Sequence, residues 1–420
     1  MNAARHLRIL QVDKFLHRQG GAPAYMLDLA EVQRRAGHEV EFFSMADERN
    51  SPSTNADLFV PSMSLSPFPS GPLDRSRTLA HLVWSTDAKR RFAAAIDRFE
   101  PDIVHVHNIY HQLSPSILWA ARAKGVPVVM TVHDAKLVCA SYMLDVDNEI
   151  CEACVGKATF VRAPLKRCRG GSLAATTALA FESTLHRLGR LYRPVGAFIC
   201  PSDFIGERFR RSGVFPDRLV RLPHFIDTDT IDAATGPGAG YVYAGRLHRI
   251  KGVDVLIRAI GAVPGAQLRV LGDGPDRADF EALAEREAPG RVQFLGMADK
   301  ATVLDEIRRS RAAVLPSFMQ ENMPMSILET FAAGRAMIVS DRGGSPEFVD
   351  DGTDGYVVSA GSVDQLAEAI GRLERDPALA EHMGARARRK ACELYHPDQH
   401  LHDLLDVYAS VGVRTTEVHR

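Results

Sequence analysis

Residues 311–358, RAAVLPSFMQENMPMSILETFAAGRAMIVSDRGGSPEFVDDGTDGYVV, decide how the chain is read. The apolar run 312–315 stops at Pro316-Ser317 and reads as a buried parallel strand with its loop. Glu321 follows in that loop. Pro324 suits the first turn of a helix, where its missing N–H costs nothing; residues 326–333 continue helically and Gly334 ends them. Glu321 thus precedes the helix and Glu329 lies inside it, too far apart for an i,i+4 surface pair. A second buried strand, 336–340, leads to a turn at Gly343-Gly344. Strand, acidic loop, helix, strand and glycine loop form a unit of a doubly wound sheet, in which ligands bind at the carboxyl ends of the strands.

Two glutamates at this spacing would alone read as solvated or capping carboxylates. In order with Gly343-Gly344 and Ser345-Pro346-Glu347, however, Glu321 and Glu329 resemble the E-x7-E and glycine-rich segments of the family-four (group 1) retaining glycosyltransferases. The resemblance implies an α/β architecture, GT-B, of two Rossmann-like doubly wound parallel-sheet domains facing a central cleft. It also implies a nucleotide diphosphate sugar as co-substrate.

Composition agrees with such an enzyme. A chain of 420 residues favours two or three domains, and 45% hydrophobic with 25% charged residues suits a soluble protein with two cores. A formal net charge of -1 gives no global pull towards nucleic acid. No apolar run reaches membrane-spanning length, and MNAARHLRILQVDK lacks the apolar segment of a signal peptide. A cytoplasmic location is therefore expected, with the six cysteines reduced, buried or metal-bound rather than paired.

Residues 7–12 read as the first strand. They run into Gly20-Gly21, and a helix over 25–36 ends at Gly37. Strand, double glycine and helix outline an anion site, because unpaired N–H groups at a helix start face whatever lies there; a tight turn explains two glycines equally well. Strands are expected at 39–45, 102–107 and 126–132, with a helix at 87–99. Residues 47–74, rich in Ser and Pro, read as a mobile loop on the acceptor side. His105, His107 and His133 lie on or at the ends of strands, where a histidine is ordinarily a packed core residue. That reading holds for His105, and both readings stay open for His107. T-V-H-D contains His133, where the resemblance places a histidine against the donor sugar.

Cys139, Cys151, Cys154 and Cys168 are spaced C-x11-C-x2-C-x13-C in polar, loop-like surroundings. The C-x2-C bite and four thiolates suit a structural tetrahedral zinc, which would order the insert; free buried thiols are the other reading. Residues 172–192 read as an amphipathic helix with Leu173, Leu179, Ala180, Phe181, Leu185 and Leu188 on the apolar face. Arg162, Lys166, Arg167, Arg169, Arg187, Arg190 and Arg193 stand against the single acid Glu182. Such a helix ordinarily packs on its own domain. Its basic excess allows a second reading, contact with an anionic membrane or a lipid-linked acceptor.

Strands at 197–201 and 220–223 complete the first half, with Ser202 capping the helix between them. The expected division is an N-terminal acceptor-binding domain, 1–226, with the cysteine insert at 139–168; a turn-rich linker, 227–240; and a C-terminal nucleotide-sugar domain, 241–395. The resemblance returns 396–420 to the first domain.

In the second half, strand 241–244 leads through Gly245-Arg246-Leu247-His248-Arg249-Ile250-Lys251-Gly252 to a helix at 253–263. A strand end, two cations and a helix N-terminus together suit a diphosphate; a basic loop facing water is the plainer reading. The family's G-R-L-x-x-x-K-G implies Arg246 and Lys251 on the nucleotide diphosphate. After strand 268–271, Gly272-Asp273-Gly274-Pro275 is not a dinucleotide fingerprint. Strand 292–296 precedes Met297, whose loop the resemblance sets against the nucleobase. Helices are expected at 299–309, 363–373 and 377–395, then at 400–408 after a break at His396-Pro397.

The resemblance thus implies retaining transfer of a hexose-type sugar to a saccharide or lipid-linked acceptor, without a catalytic metal. Glu321, His133, Arg246 and Lys251 would be catalytic. Glu329, Gly245, Met297, Met323, Pro324 and Met325 would hold the donor, and Gly20 and Gly21 would lie near the acceptor and phosphates. Asn322-Met323-Pro324 departs from the aromatic and glycine of many members, and His224 stands where Asn is common. Both departures bear on the donor sugar. The rivals are a phosphorylase or epimerase on the same fold, and a non-catalytic sugar-nucleotide binder.

Overall fold

The computed structural model describes residues 5–62, 78, 80–147 and 149–415. The chain separates into two compact units, one of Met1–Val146, Cys151–Leu222 and His400–Arg420, the other of Asp147–Ile150 and Pro223–Gln399. The first unit is built on six parallel strands in the order Glu39–Phe43, Arg8–Val12, Ile103–Val106, Val128–Thr131, Ala197–Cys200, Leu219–Arg221. The central strands IVHV, VVMT and AFIC are buried at every position, as a parallel sheet covered on both faces requires. The order reverses between Arg8–Val12 and Ile103–Val106, the place where such sheets open a crevice.

The second unit has six parallel strands in the order Val292–Gly296, Leu268–Leu271, Tyr241–Ala244, Ala312–Leu315, Ala336–Ser340, Gly355–Val358. Its order reverses between Tyr241–Ala244 and Ala312–Leu315. These two strands pair only through Ala312 with Tyr241 and Ala313 with Val242, so their carboxyl ends part. Two apolar cores clamp the sheet. One is built around Leu256, Ile260, Leu366 and Ile370, the other around Ile327, Phe331, Phe348 and Ala387.

Local sequence accounts for most element boundaries. Ser85, Ser202, Asp299 and Ser362 each accept a backbone N–H in the first turn of the helix they precede, a cap typically worth about 1 kcal/mol. Gly334, at φ 72, follows helix Met325–Ala332 in the left-handed region. The first helix, Gly21–Arg35, starts four residues before the expected 25. Pro23 fits its first turn, where an N–H would have no helical partner. The same logic starts helix Pro397–Ser410 at Pro397, at the expected break and three residues before the expected 400. Helices Ser116–Ala123 and Arg277–Glu287 and strand Gly355–Val358 are elements that the sequence reading does not include. The proposed loop 47–74 lies, over 63–74, outside the described residues.

Helix Leu173–Leu188 forms, capped by Ser172, and Leu179 and Ala180 of the expected apolar face are buried, but its other apolar positions give way to polar ones. Thr176, Glu182, Ser183 and His186 are buried, while Leu173, Phe181 and Leu188 are 51%, 51% and 60% exposed. The cause is a buried charge cluster that captures the polar side, described below. Beside it, helix Arg162–Lys166 and the residue before it also present Val161 and Leu165 to solvent. Among the described residues no helix is long and apolar enough to cross a membrane.

Candidate active site

The parted ends of Tyr241–Ala244 and Ala312–Leu315 carry two loops that are stitched together. Phe318 N donates to Ile250 O at 2.8 Å. Gly252, at φ 70, has no room for a side chain, since a Cβ there would lie 1.9 Å from Pro316 O. The glycine therefore lets one loop press on the other at the sheet's reversal point. Gly245 heads the first loop, its N–H bonded to Leu271 O at 2.9 Å. Tyr243 Oη donates to Arg246 O at 3.0 Å and shapes the turn.

The three cations of this loop have different surroundings. Arg249 is tied to Asp279 at 2.7 Å. Arg246 is exposed. Lys251, in the 3-10 turn Arg249–Lys251, reaches across to Glu321, with Nζ 2.5 Å from Oε1. Both side chains of that pair are largely shielded, at 21% and 14% exposure, so solvent screens the contact less than a surface pair. Ser317 Oγ donates to the same Glu321 oxygen at 3.2 Å, a partner that sequence spacing alone did not single out.

The backbone of Glu321 is fixed as well. Gly344 N donates to Glu321 O at 2.7 Å. Gly343, at φ 64, packs so closely that a Cβ would come within 2.1 Å of that carbonyl oxygen. The glycine pair thus positions Glu321. Met323 is buried, and its sulfur accepts His224 N at 3.0 Å. Pro324 sits just before helix Met325–Ala332, which begins at Met325 and contains the half-buried Glu329. Met297 lies beyond strand Val292–Gly296 and is 77% exposed. The structure therefore brings Lys251, Glu321, Ser317 and Gly343-Gly344 into direct contact, with Arg246 in the same loop as Lys251.

In the first unit, Gly20 and Gly21 are exposed at the start of helix Gly21–Arg35, with Gly20 at φ 82. His133 lies two residues beyond strand Val128–Thr131, its Nε2 2.9 Å from His107 Nδ1. Burial pushes its pKa down to about 3, which keeps the ring neutral. His105 is a core residue, hydrogen-bonded to Tyr408 and Thr131.

Sequence reading missed the charged groups that gather beyond the strand ends of this unit. Asp13 accepts N–H bonds from Phe15 and Asn108 at 2.9 and 3.1 Å, yet burial raises its pKa to about 6. Asp134 accepts from Tyr110 Oη. Glu182, fully buried, meets Lys136 Nζ at 2.9 Å and His111 Nδ1 at 2.8 Å. Burial alone would raise the Glu182 pKa, but Lys136, His111 and His186 outweigh it and hold it at about 2. Burial and Lys136 push His111 down to about 4, so it donates to Glu182 as a neutral ring. Nothing in the local pattern of a helix marks a lone Glu as a buried partner of a Lys far away in sequence.

Glu182→Gln leaves Lys136 charged and buried. It should destabilise the protein by about 3–5 kcal/mol, read by urea unfolding at neutral pH. The folded pKa lies below the ordinary 4.5, so the unfolded chain binds more protons between the two values. The wild-type advantage should hold above pH 4.5 and disappear as pH falls towards 2. An unchanged midpoint in the variant would refute the pairing.

Cys139, Cys151, Cys154 and Cys168 line one small pocket as free thiols. Among the described residues, no group of three or more His, Cys, Asp or Glu side chains is placed to hold a metal ion. The structural-zinc expectation therefore finds no support. Cys154 packs with Ala140, Phe160, Ala163, Leu179 and Ala180, and burial, with the neighbouring thiols, pushes it up to about 12. Cys139 Sγ is 3.3 Å from Ser141 Oγ. Packed in this apolar cluster, Cys154 acts as a small core residue.

Two doubly wound sheets, one with an acid–cation pair at its reversal point, define an α/β protein of the nucleotide-binding type. Comparison with known proteins narrows this. Residues 20–224 match the family "Glycosyl transferase 4-like domain" and residues 237–390 match "Glycosyl transferases group 1". The chain belongs to the group 1 glycosyltransferases. It is 28% identical over 240 residues to alpha-D-kanosaminyltransferase of Streptomyces kanamyceticus, a match covering 53% of this chain and 62%, under two thirds, of that one. It is 25% identical over 380 residues to phosphatidyl-myo-inositol mannosyltransferase of Mycolicibacterium smegmatis, covering 88% and 85% of the two chains. Among solved structures, sucrose-phosphate synthase from Thermosynechococcus elongatus superposes with a TM-score of 0.70 at 19% identity, over 96% of this chain and 98% of that one. Anabaena HepE in complex with UDP-glucose gives 0.65 at 17%, over 96% and 100%. These likenesses establish the GT-B fold.

Proposed function

We propose that the chain is a retaining, metal-independent glycosyltransferase that moves a hexose-type sugar from a nucleotide diphosphate sugar to a saccharide or lipid-linked acceptor. The observation that carries this reading is the Lys251–Glu321 contact at the sheet reversal, with Arg246 on the same loop. Two cations beside a helix start suit a diphosphate leaving group, on which negative charge grows as the glycosidic bond breaks. In this reading Arg246 and Lys251 hold the diphosphate and Glu329 the ribose. Glu321 meets sugar hydroxyls, and His133 is assigned a sugar-binding role. Gly245, Met297, Met323, Pro324 and Met325 complete the donor surroundings, and Gly20-Gly21 offers backbone N–H groups to phosphate or acceptor. UDP-glucose bound to Anabaena HepE supports a sugar nucleotide as donor.

The acceptor proton passes to the leaving phosphate during attack on the same face, so the product keeps the donor's anomeric configuration. NMR of the first-formed product tests this, and an inverted anomer would refute the mechanism. A binder without catalysis has no need of cations at a leaving group. A phosphorylase would turn over inorganic phosphate, which the same assay detects.

Val161 and Leu165 are exposed beside Arg162, Lys166 and Arg167 in the sequence, and Leu173, Phe181 and Leu188 are exposed on helix Leu173–Leu188. This mixture of apolar and basic side chains suits an anionic bilayer surface and supports a lipid-linked acceptor. Vesicles containing anionic lipid should sediment the protein, and Leu165→Glu with Phe181→Glu should abolish that binding. Equal sedimentation of the double variant would contradict it.

A further inference from the structure

Lys14 stands at the reversal point of the first sheet, where doubly wound sheets bind their ligands. The loops that leave strands Arg8–Val12 and Ile103–Val106 are tied together there. Lys14 N donates to Asn108 O at 3.1 Å, and Asp13 accepts N–H bonds from both Phe15 and Asn108. The Lys14 side chain is half-buried against rings, with Nζ 4.9 Å from the Tyr110 centroid and 5.6 Å from that of Phe15. Among the described residues, no carboxylate forms an ion pair with it. Asp13 and Asp134 act on it only from a distance, because their oxygens take backbone N–H groups and Tyr110 Oη. Burial outweighs their pull and lowers the Lys14 pKa. Lys136 shows the contrast, its ammonium committed to Glu182 at 2.9 Å and Ser183 at 3.2 Å.

A second cation stands on the same aromatic surface. The Tyr142 ring lies 6.1 Å from Tyr110, and Arg169 Cζ lies 5.0 Å from the Tyr142 centroid. Arg169 N donates to Thr176 Oγ1 at 3.1 Å, which fixes the arginine beside the start of helix Leu173–Leu188. Its side chain is exposed and, among the described residues, in no ion pair, and its charge reaches Lys14. Two cations on a shared row of rings repel each other, and a half-buried ammonium gains from an anionic acceptor. An anion that meets Lys14 and Arg169 therefore relieves both. Leu165 and Leu173, both exposed, flank Arg169 in the chain. An apolar tail attached to the anion has these side chains to lie on, which a free acidic saccharide would not use.

We propose that Lys14 and Arg169 bind the phosphate of a lipid-linked acceptor, with Leu165 and Leu173 receiving the start of the lipid. This rests on the sugar-transfer reading above and deepens it, by choosing the lipid-linked over the free saccharide acceptor and by giving the choice to named residues.

The test is calorimetric titration of the full-length protein with farnesyl phosphate below its micelle threshold, with farnesol and with glucose 1-phosphate. Farnesyl phosphate should bind, and farnesol should bind far more weakly. Lys14→Gln and Arg169→Gln should each weaken farnesyl phosphate about 10–100-fold, the factor for one lost hydrogen bond to a charged group. Both variants should keep the wild-type Tm, because neither side chain has an ion pair to lose. Unchanged affinity in the folded variants, or equal affinity for farnesol and farnesyl phosphate, would overturn the phosphate site. A lower Tm with affinity kept would show that the cation–ring contacts serve the fold alone and would overturn it too. Glucose 1-phosphate bound as tightly, with the same loss in Lys14→Gln, would overturn the lipid part in favour of a soluble sugar phosphate. Arg169 is exposed, so Arg169→Gln decides the matter should Lys14→Gln not fold. If binding is as expected but no nucleotide sugar is turned over, the functional reading fails and the phosphate site stands.

Discussion

Lys251→Ala is expected to lower kcat by roughly 10²–10³-fold, the range for loss of one preorganised charge-stabilising group, while raising the donor KM far less. The argument is differential. Without donor, Lys251 is neutralised by Glu321 at 2.5 Å. With donor bound it shares its charge with the diphosphate, and its attraction grows as the leaving group becomes more negative. A group that acts mainly in the transition state shows itself in kcat rather than KM. Arg246→Lys should also be impaired, because a point charge does not reproduce the planar fork that grips two phosphate oxygens. Arg246 is exposed, and Lys251, though largely shielded, still reaches solvent at its loop surface, so folding should survive both changes. Steady-state kinetics on variants with unchanged circular dichroism decides it. Near-normal kcat in folded Lys251→Ala would move the diphosphate elsewhere.

Gly343→Ala should be comparably damaging although residue 343 contributes no functional group. A Cβ there would lie 2.1 Å from Glu321 O and 2.5 Å from Glu321 N, both rigid backbone atoms, and φ 64 already disfavours a side chain. The loop carrying Glu321 must shift by an ångström or more to admit it. A displacement of about 1 Å at a reacting centre costs on the order of 10²-fold in rate. The variant should therefore lose activity in that range, with a modest drop in Tm. Full activity in Gly343→Ala would show that the glycine turn does not position Glu321.

What the sequence revealed and what it hid follow from the range of the interactions involved. The strand, loop and helix of residues 311–358 were legible because buried parallel strands are short apolar runs, and Pro and Gly mark their ends locally. Arg246 and Lys251 were legible through their spacing before a helix start. Ser317 was not, because its partner Glu321 is set by how the loop curls. The burial of Leu173, Phe181 and Leu188 on helix Leu173–Leu188 was misread for the same reason, although Leu179 and Ala180 are buried as expected. Its leucines suggested a buried stripe, but Lys136 and His111, remote in sequence, bury Glu182 instead. The cysteines gave the right neighbourhood, and of the two readings left open there the zinc one finds no support. Spacing brought the four to one pocket, while burial keeps Cys154 protonated beside its neighbours. His107 could not be settled from the chain because its role depends on Gln11, reached across the sheet.

The account stands or falls on a donor diphosphate leaving from the loop that carries Arg246 and Lys251. The most direct measurement is release of nucleoside diphosphate by the purified full-length protein, across a panel of nucleotide sugars with saccharide and lipid-linked acceptors. The account predicts acceptor-dependent release from at least one donor, lost in Lys251→Ala and independent of added metal. Release that is undiminished in Lys251→Ala, or turnover of inorganic phosphate in place of a nucleotide sugar, would contradict it.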